Sequence, residues 1–232
     1  MPESVSGLQK YIFVLFGRIY NTCIAILVPN KAFLTDVEPD LMARIEREYP
    51  RIKKEFIAIQ ENQLTQIDDV LEENKTLNTE KKWRFLLLKS YYVDYTQNQQ
   101  KVPVTSSLIG DPRICSAFFS VLAPHSNIPE HRGPFKGVLR VHLPLLVPAD
   151  SQNCYIVVNG EKRAWELGKC LVFDDHYKHY VVNKTDEYRV VLFMDILRPL
   201  PFPIRPLNTW IVSVIRNSGY VKSIRQKMKP TG

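Results

Sequence analysis

Cysteine is scarce and scattered in this chain of 232 residues, with Cys23, Cys115, Cys154 and Cys170 far apart and no C-x-x-C pair. That spacing excludes a thiolate zinc knuckle and a disulfide scaffold, and it sets a reducing, cytoplasmic compartment as the expectation. Clean apolar runs are lacking too. The stretch Tyr11 to Pro29 is interrupted by Arg18, Asn21 and Thr22, and so falls short of the roughly 20 apolar residues a spanning helix requires. It reads first as a helix docked on the core and second as an interfacial anchor. Glu3 and the want of a small-residue cleavage site argue against a cleavable leader. Acidic residues are missing from 196–232, where seven basic ones stand (Arg198, Arg205, Arg216, Lys222, Arg225, Lys227 and Lys229). The formal charge of +7 therefore belongs to that tail, since the first 195 residues carry 24 basic and 24 acidic side chains. A neutral body excludes a nucleic-acid-coating domain. Histidine is sparse as well, but all five (His125, His131, His142, His176 and His179) fall within 55 residues, which marks that window as a site.

The pattern divides the chain into four parts. Residues 1–35 form the apolar N-terminal segment. Residues 36–100 read as a helical preface followed by a surface excursion. Leu41, Met42 and Ile45, then Ile52, Phe56 and Ile57, recur at helical spacing, with Asp36 as a cap and Pro50 opening a second helix. The excursion ends in a short strand within Trp83 to Tyr92. Residues 101–200 carry strand-length apolar runs at regular intervals: 114–122, 137–146, 154–158, 169–173, 179–182 and 188–196. Asn159-Gly160 is a strong hairpin signal, and Leu167-Gly168 and Lys184-Thr185-Asp186 supply further turns. Many short strands so spaced predict a mainly β fold, a sandwich or barrel. Residues 201–232 read as a Pro-rich linker and a basic amphipathic helix suited to an anionic lipid surface or to docking on the barrel.

Strand alternation sorts the polar residues of the window. Arg140 and His142 share one face, while Leu139, Val141 and Leu143 share the other; Arg189 lies on the face of Val191 and Phe193. A buried arginine there needs an anionic partner. His131 and His179 each fall near a strand end, where metal ligands can converge, and two imidazoles suit Fe, Zn, Cu or Ni. The carboxylate of an H-x-D facial triad is missing, because that position is Gly133. Glu130, Asp174, Asp175 and His176 are the substitutes that spacing allows. His125 and His176 sit in turn-like sequence and read as solvated.

The series His131-Arg-Gly-Pro-Phe-Lys-Gly-Val-Leu-Arg140-Val-His142, then Phe173-Asp-Asp175 leading to His179, then Arg189, closely resembles the aspartyl/asparaginyl β-hydroxylase family of iron and 2-oxoglutarate dioxygenases. The likeness covers about Ser120 to Pro199. It implies a double-stranded β-helix of jelly-roll, cupin-like form, with a helical N-terminal preface and a C-terminal amphipathic helix. It implies Fe(II) held by His131 and His179 with water in place of the carboxylate. It also implies 2-oxoglutarate held by Arg189 and Ser120 at its distal carboxylate, and by Arg140 and His142 at its chelating end. The activity implied is O2-dependent hydroxylation of an unactivated carbon, with release of succinate and CO2. By resemblance Trp83 borders the substrate pocket; its place in an apolar run reads as core.

Within the family the chain looks most like the bacterial lipid A 2-hydroxylase branch, through Pro29 to Val37, Trp83 to Lys89, Asn183 to Asp186 and Arg198 to Leu200. It departs from that branch at Gly133, where the branch carries Asp. Three function classes follow: hydroxylation of peptidyl Asp or Asn, hydroxylation of a lipid acyl chain, and a non-catalytic binding module on the same fold. Cytoplasmic location with peripheral contact to an anionic membrane completes the expectation.

Overall fold

A computed structural model describes residues 7–29 and 31–228. Asn30 and Lys229, which figure in the resemblance and in the basic tail, lie outside the described residues. The first elements are α1 (Gly7–Leu27), β1 (Phe33–Leu34), α2 (Pro39–Ile57), β2 (Thr65–Gln66), α3 (Ile67–Val70), β3 (Trp83–Ser90) and β4 (Val93–Asp94). Then come α4 (Thr96–Gln99), α5 (Pro103–Ile109), β5 (Ile114–Leu122), β6 (Ser126–His131), β7 (Val138–Leu146), β8 (Cys154–Val158) and β9 (Glu161–Arg163). The chain closes with β10 (Leu171–Phe173), β11 (His179–Asn183), β12 (Arg189–Leu197), α6 (Ile204–Arg216) and α7 (Gly219–Lys227).

The strands form two antiparallel sheets. The major sheet has the order β1-β10-β7-β12-β5-β3-β2, with β4 paired to β3, and the minor sheet has the order β6-β11-β8-β9. Two sheets of this order facing one another make the expected double-stranded β-helix.

Alternation along the strands of the major sheet builds two cores. Leu139, Val141, Leu143, Val190, Leu192 and Met194 point outward and are covered by α2 and α5 through Leu41, Ile45, Ile52, Leu108 and Ile109. Phe85, Phe118, Val191 and Phe193 point inward, against Ile128, Ile156, Val158 and Val181 of the minor sheet. Phe118 and Phe193 stack with centroids 4.0 Å apart. The inner core also carries the polar residues that alternation assigns to it.

Three local expectations change. Pro50 does not open a second helix but lies inside α2, and the cap position of that helix is held by Glu38, in the left-handed region at φ 45, rather than by Asp36. A mid-helix proline costs about 3 kcal/mol. Burial of Leu41, Ile45 and Ile52, each fully buried, outweighs that at roughly 1.5–3 kcal/mol per side chain. Trp83–Ser90, expected as a short strand closing a surface excursion, is an eight-residue strand inside the major sheet beside β5. β6 was hidden by Pro129, which reads as a turn residue but is tolerated because β6 is the edge of its sheet. The Asn159-Gly160 hairpin forms as expected between β8 and β9, with φ 50 and 83 as a type I′ turn requires.

The tail folds as two helices. Ser218 caps α7 by accepting from the Val221 amide. Arg198 is buried in an ion pair with Asp174 and Lys227 pairs with Glu72, so part of the basic tail belongs to the fold. α1 docks through Tyr20 and Ile24 on Leu200, Phe135, Ile204 and Ile211. Tyr20 donates to Asn208 at 2.7 Å, which itself donates to the Gly137 carbonyl. Among the described residues no helix is long and apolar enough to cross a membrane.

Candidate active site

His131 ends β6 and His179 begins β11, and the register pairs them directly. Their ring centroids lie 4.1 Å apart. His131 Nδ1 bonds the Pro129 carbonyl at 2.8 Å and His179 Nδ1 bonds the Tyr177 carbonyl at 2.9 Å. Because a carbonyl only accepts, each Nδ1 carries the proton and each Nε2 keeps its lone pair. Burial holds both rings below the usual imidazole range, His179 at about 3 with the neighbouring His131 adding to the effect. Both are therefore neutral at pH 7, the form that ligates metal.

Beside them, across the inner face of the major sheet, stand Arg140, His142, Ser120 and Arg189. His142 Nδ1 accepts from Trp165 Nε1 at 3.2 Å, so its Nε2 is a donor, and that atom is buried without a partner among the described residues. Arg189 is 1% exposed. It reaches Ser120 Oγ at 3.4 Å and covers the Trp165 ring at 5.1 Å, while its Nε has no partner. No carboxylate among the described residues pairs with it, and burial pulls the guanidinium down to about 10. Ser120 also accepts from Trp83 Nε1 at 2.9 Å, so Trp83 is a core residue that touches the site.

Arg140 bridges two carboxylates, Asp175 at 2.8 Å and Asp195 at 3.1 Å, and lies on the Phe193 ring. Gly133 explains itself here. A Cβ at that position would fall 1.9 Å from Asp175 Oδ2, and the Gly133 amide donates to the Asp175 carbonyl. An aspartate at 133 and Asp175 in this position exclude one another. Gly133→Ala is expected to cost about 1–3 kcal/mol through overpacking, read by denaturant unfolding.

Of the other substitutes, Glu130 is exposed and paired with Lys178, and Asp174 is locked between Lys136 and Arg198 at 2.7 and 2.8 Å. That buried triad ties together the segment after β6 and the segment before β11, next to His131 and His179. His176 corrects its reading as solvated, since it is half-buried and bonds the Gly133 carbonyl. His125 is exposed beside Asp186, as expected. Among the described residues no group of three or more His, Cys, Asp or Glu is placed to hold a metal.

Asp175 is pushed up to about 6, chiefly by burial. Between about pH 4 and 6 it opposes the histidines. The histidines take up protons on unfolding, so their contribution to stability rises with pH. Asp175 holds in the fold a proton that the unfolded chain has released, so its contribution is present at low pH and fades towards about 6. Asp175→Asn is expected to steepen the loss of Tm on acidification through this window.

Sequence reasoning missed Trp165, Asp195 and Lys136. Asp195 was legible, because it continues the inward row of Arg189, Val191 and Phe193. Trp165 lies outside any strand, where no periodicity announces it.

Fold and site together define a jelly-roll barrel with a polar chamber between its sheets. Residues 46–199 match the model of the family described as aspartyl/asparaginyl beta-hydroxylase, and the chain belongs to that hydroxylase family. It is 35% identical over 183 residues to an ornithine lipid ester-linked acyl 2-hydroxylase of Rhizobium tropici, covering 78% of this chain and 65% of that protein. It is 35% identical over 127 residues to the human aspartate beta-hydroxylase domain-containing protein 2, covering 50% of this chain and 34% of that protein. The chain thus spans less than two thirds of the length of either relative. Among solved structures, the Schizosaccharomyces pombe Cnp3 cupin domain aligns with a TM-score of 0.36 at 9% identity, over 62% of this chain and 72% of that one.

Proposed function

We propose that the protein is an Fe(II)- and 2-oxoglutarate-dependent dioxygenase that hydroxylates a lipid acyl chain. The observation that carries the chemistry is Arg189, a buried cation with no carboxylate partner among the described residues, on the same chamber as two neutral histidines. An isolated buried charge is strongly unfavourable, and a dianionic keto acid supplies the missing partner. His142 Nε2 is a second orphan of matching kind, a donor wanting an acceptor.

On this reading His131 and His179 hold the metal through Nε2. Iron and 2-oxoglutarate, when bound, would supply O2-dependent hydroxylation of an unactivated C–H bond, with succinate and CO2 as the co-products. Arg189 and Ser120 hold the distal carboxylate, the planar fork of the guanidinium fixing its orientation. His142 donates from Nε2 to the nearer end of the cosubstrate, and Trp165 keeps that proton in place by occupying Nδ1. Arg140, expected at the chelating end of the cosubstrate, is instead engaged by Asp175 and Asp195, so on this reading it holds Asp175 in place beside Gly133 and leaves that end to His142. Phe173, Phe193 and Val158 wall the chamber and exclude water.

The lipid substrate is supported by exposed apolar side chains on two helices that pack together. Ile19, Ile26 and Leu27 of α1, Phe202, and Leu207, Trp210 and Val214 of α6 are all exposed, with Arg18, Arg205 and Arg216 exposed beside them in sequence. Apolar residues edged by cations suit the interface of an anionic membrane. The protein then works in the cytoplasm at a membrane surface. Mass spectrometry of cells with and without the protein tests the reading. One added oxygen on a lipid acyl chain is expected; the same addition on a peptide Asp or Asn overturns the substrate, and full-length protein that ignores anionic vesicles counts against it.

A further inference from the structure

Asn21, which interrupts the apolar run in the sequence, joins α1 to the loop that follows His131. Tyr20, Asn21, Ile24 and Val28 recur at helical spacing on the docked face of α1, each buried or half-buried, while Arg18, Ile19, Thr22, Cys23, Ile26 and Leu27 are exposed. The Asn21 side-chain amide donates to the Pro134 carbonyl at 3.0 Å and accepts from the Lys136 amide, also at 3.0 Å. These groups lie on either side of Phe135 and are the pair that a residue of a neighbouring strand would bind. One side chain thus does for an irregular loop what a sheet does for a strand.

Tyr20 holds the same loop from the same helix. Its ring stacks on Phe135 with centroids 5.7 Å apart, and its hydroxyl orients Asn208, which donates to the Gly137 carbonyl. Gly137 permits this seat, since a Cβ there would fall 2.0 Å from Asn208 Oδ1 and 2.3 Å from the Phe135 ring.

His131 needs such ties. It is the last residue of β6, which lies at the edge of its sheet, and a bulge separates the pairing of His131 with His179 from that of Ile128 with Val181. A bulged end on an edge strand has a disrupted ladder and one open side, so it frays unless the chain beyond it is fixed. The barrel fixes the loop from within, through the Asp175 carbonyl on the Gly133 amide and through Arg198 on the Lys136 carbonyl. α1 closes it from outside.

We propose that Asn21 is a positioning residue for the metal site: by binding the loop to α1 it fixes the end of β6, and so sets His131 in the pose that meets His179. The inference rests on the reading of His131 as a metal ligand and is independent of which substrate is hydroxylated.

The test compares the full-length wild type with Asn21→Leu, which keeps the volume of the side chain and makes neither bond. In metal-free protein the informative probe is hydrogen exchange at the Gly133 amide, because its acceptor is the Asp175 carbonyl rather than Asn21. Exchange there is expected to quicken about tenfold or more, the scale of two lost hydrogen bonds. Co(II) affinity, read from the visible absorption of the bound ion, is expected to fall about tenfold, as loss of a supporting residue causes. Thr22→Ala, on a hydroxyl bonded to the Arg18 carbonyl of the same helix, should change neither. Tyr20→Phe removes a single oxygen and should move both readouts the same way by a smaller factor, which keeps the proposal falsifiable if Asn21→Leu does not fold.

If Asn21 serves only to dock α1, exchange will quicken along 17–28 while Gly133 and the Co(II) affinity keep their wild-type values, and the proposal is overturned with the metal reading intact. A wild type that binds no Co(II) sinks the metal reading itself, and this inference with it.

Discussion

Arg189→Met is expected to raise the KM for 2-oxoglutarate roughly a hundredfold or more, because truncating one partner of a buried charge pair typically costs about 2–5 kcal/mol. The thermal midpoint is expected to move the other way or not at all. Arg189 is buried with no carboxylate among the described residues to offset its desolvation, so an apolar side chain of similar length removes an unfavourable burial. A purely structural arginine would show the opposite, a fall in Tm with KM intact. Arg189→Lys separates charge from shape: it keeps the cation but loses the fork, and it should recover only part of the affinity. Succinate formation as a function of 2-oxoglutarate, beside a melting curve for each variant, decides the matter.

His131→Ala and His179→Ala are each expected to weaken Fe(II) binding by roughly a thousandfold, beyond the ten- to hundredfold that loss of a supporting residue causes. Anaerobic metal titration measures this directly, and succinate production should vanish in parallel. His125→Ala, on an exposed ion pair with Asp186, is the matched control and should bind metal as the wild type does. Metal affinity in the wild type should also persist below the usual imidazole range, because burial already keeps both rings neutral there. Retained metal binding and turnover in either alanine variant would refute the ligand assignment.

Much of this chamber was legible in the residues. Alternation alone put Arg140 with His142 and Arg189 with Val191 and Phe193, and the sheets keep those faces. Period two is a strong constraint wherever one face is apolar, since a slip of one residue would bury charge and expose the core. The turn at Asn159-Gly160 was equally plain, because positive φ at both positions is a narrow chemical demand. What escaped was everything set by contact across long sequence distance. Nothing local tells that Asp175 fills the space a side chain at 133 would need. Nothing local shows that Lys136 and Arg198 converge on Asp174. β3 was underrated for a related reason: ENKTLNTEKK before it is polar, and burial on both faces leaves Trp83–Ser90 with no alternation to read.

The major sheet is covered by helices on one side and lined with chemistry on the other, and its strands interleave the two at every second residue. Selection can therefore act on the faces separately. Changes among Arg189, Val191 and Phe193 alter what the chamber accepts, while Val190, Leu192 and Met194 answer only to the helices above them. A new specificity can arise in such a barrel without renegotiating its foldability, which suits a family whose members act on substrates as unlike as a peptide side chain and a lipid tail.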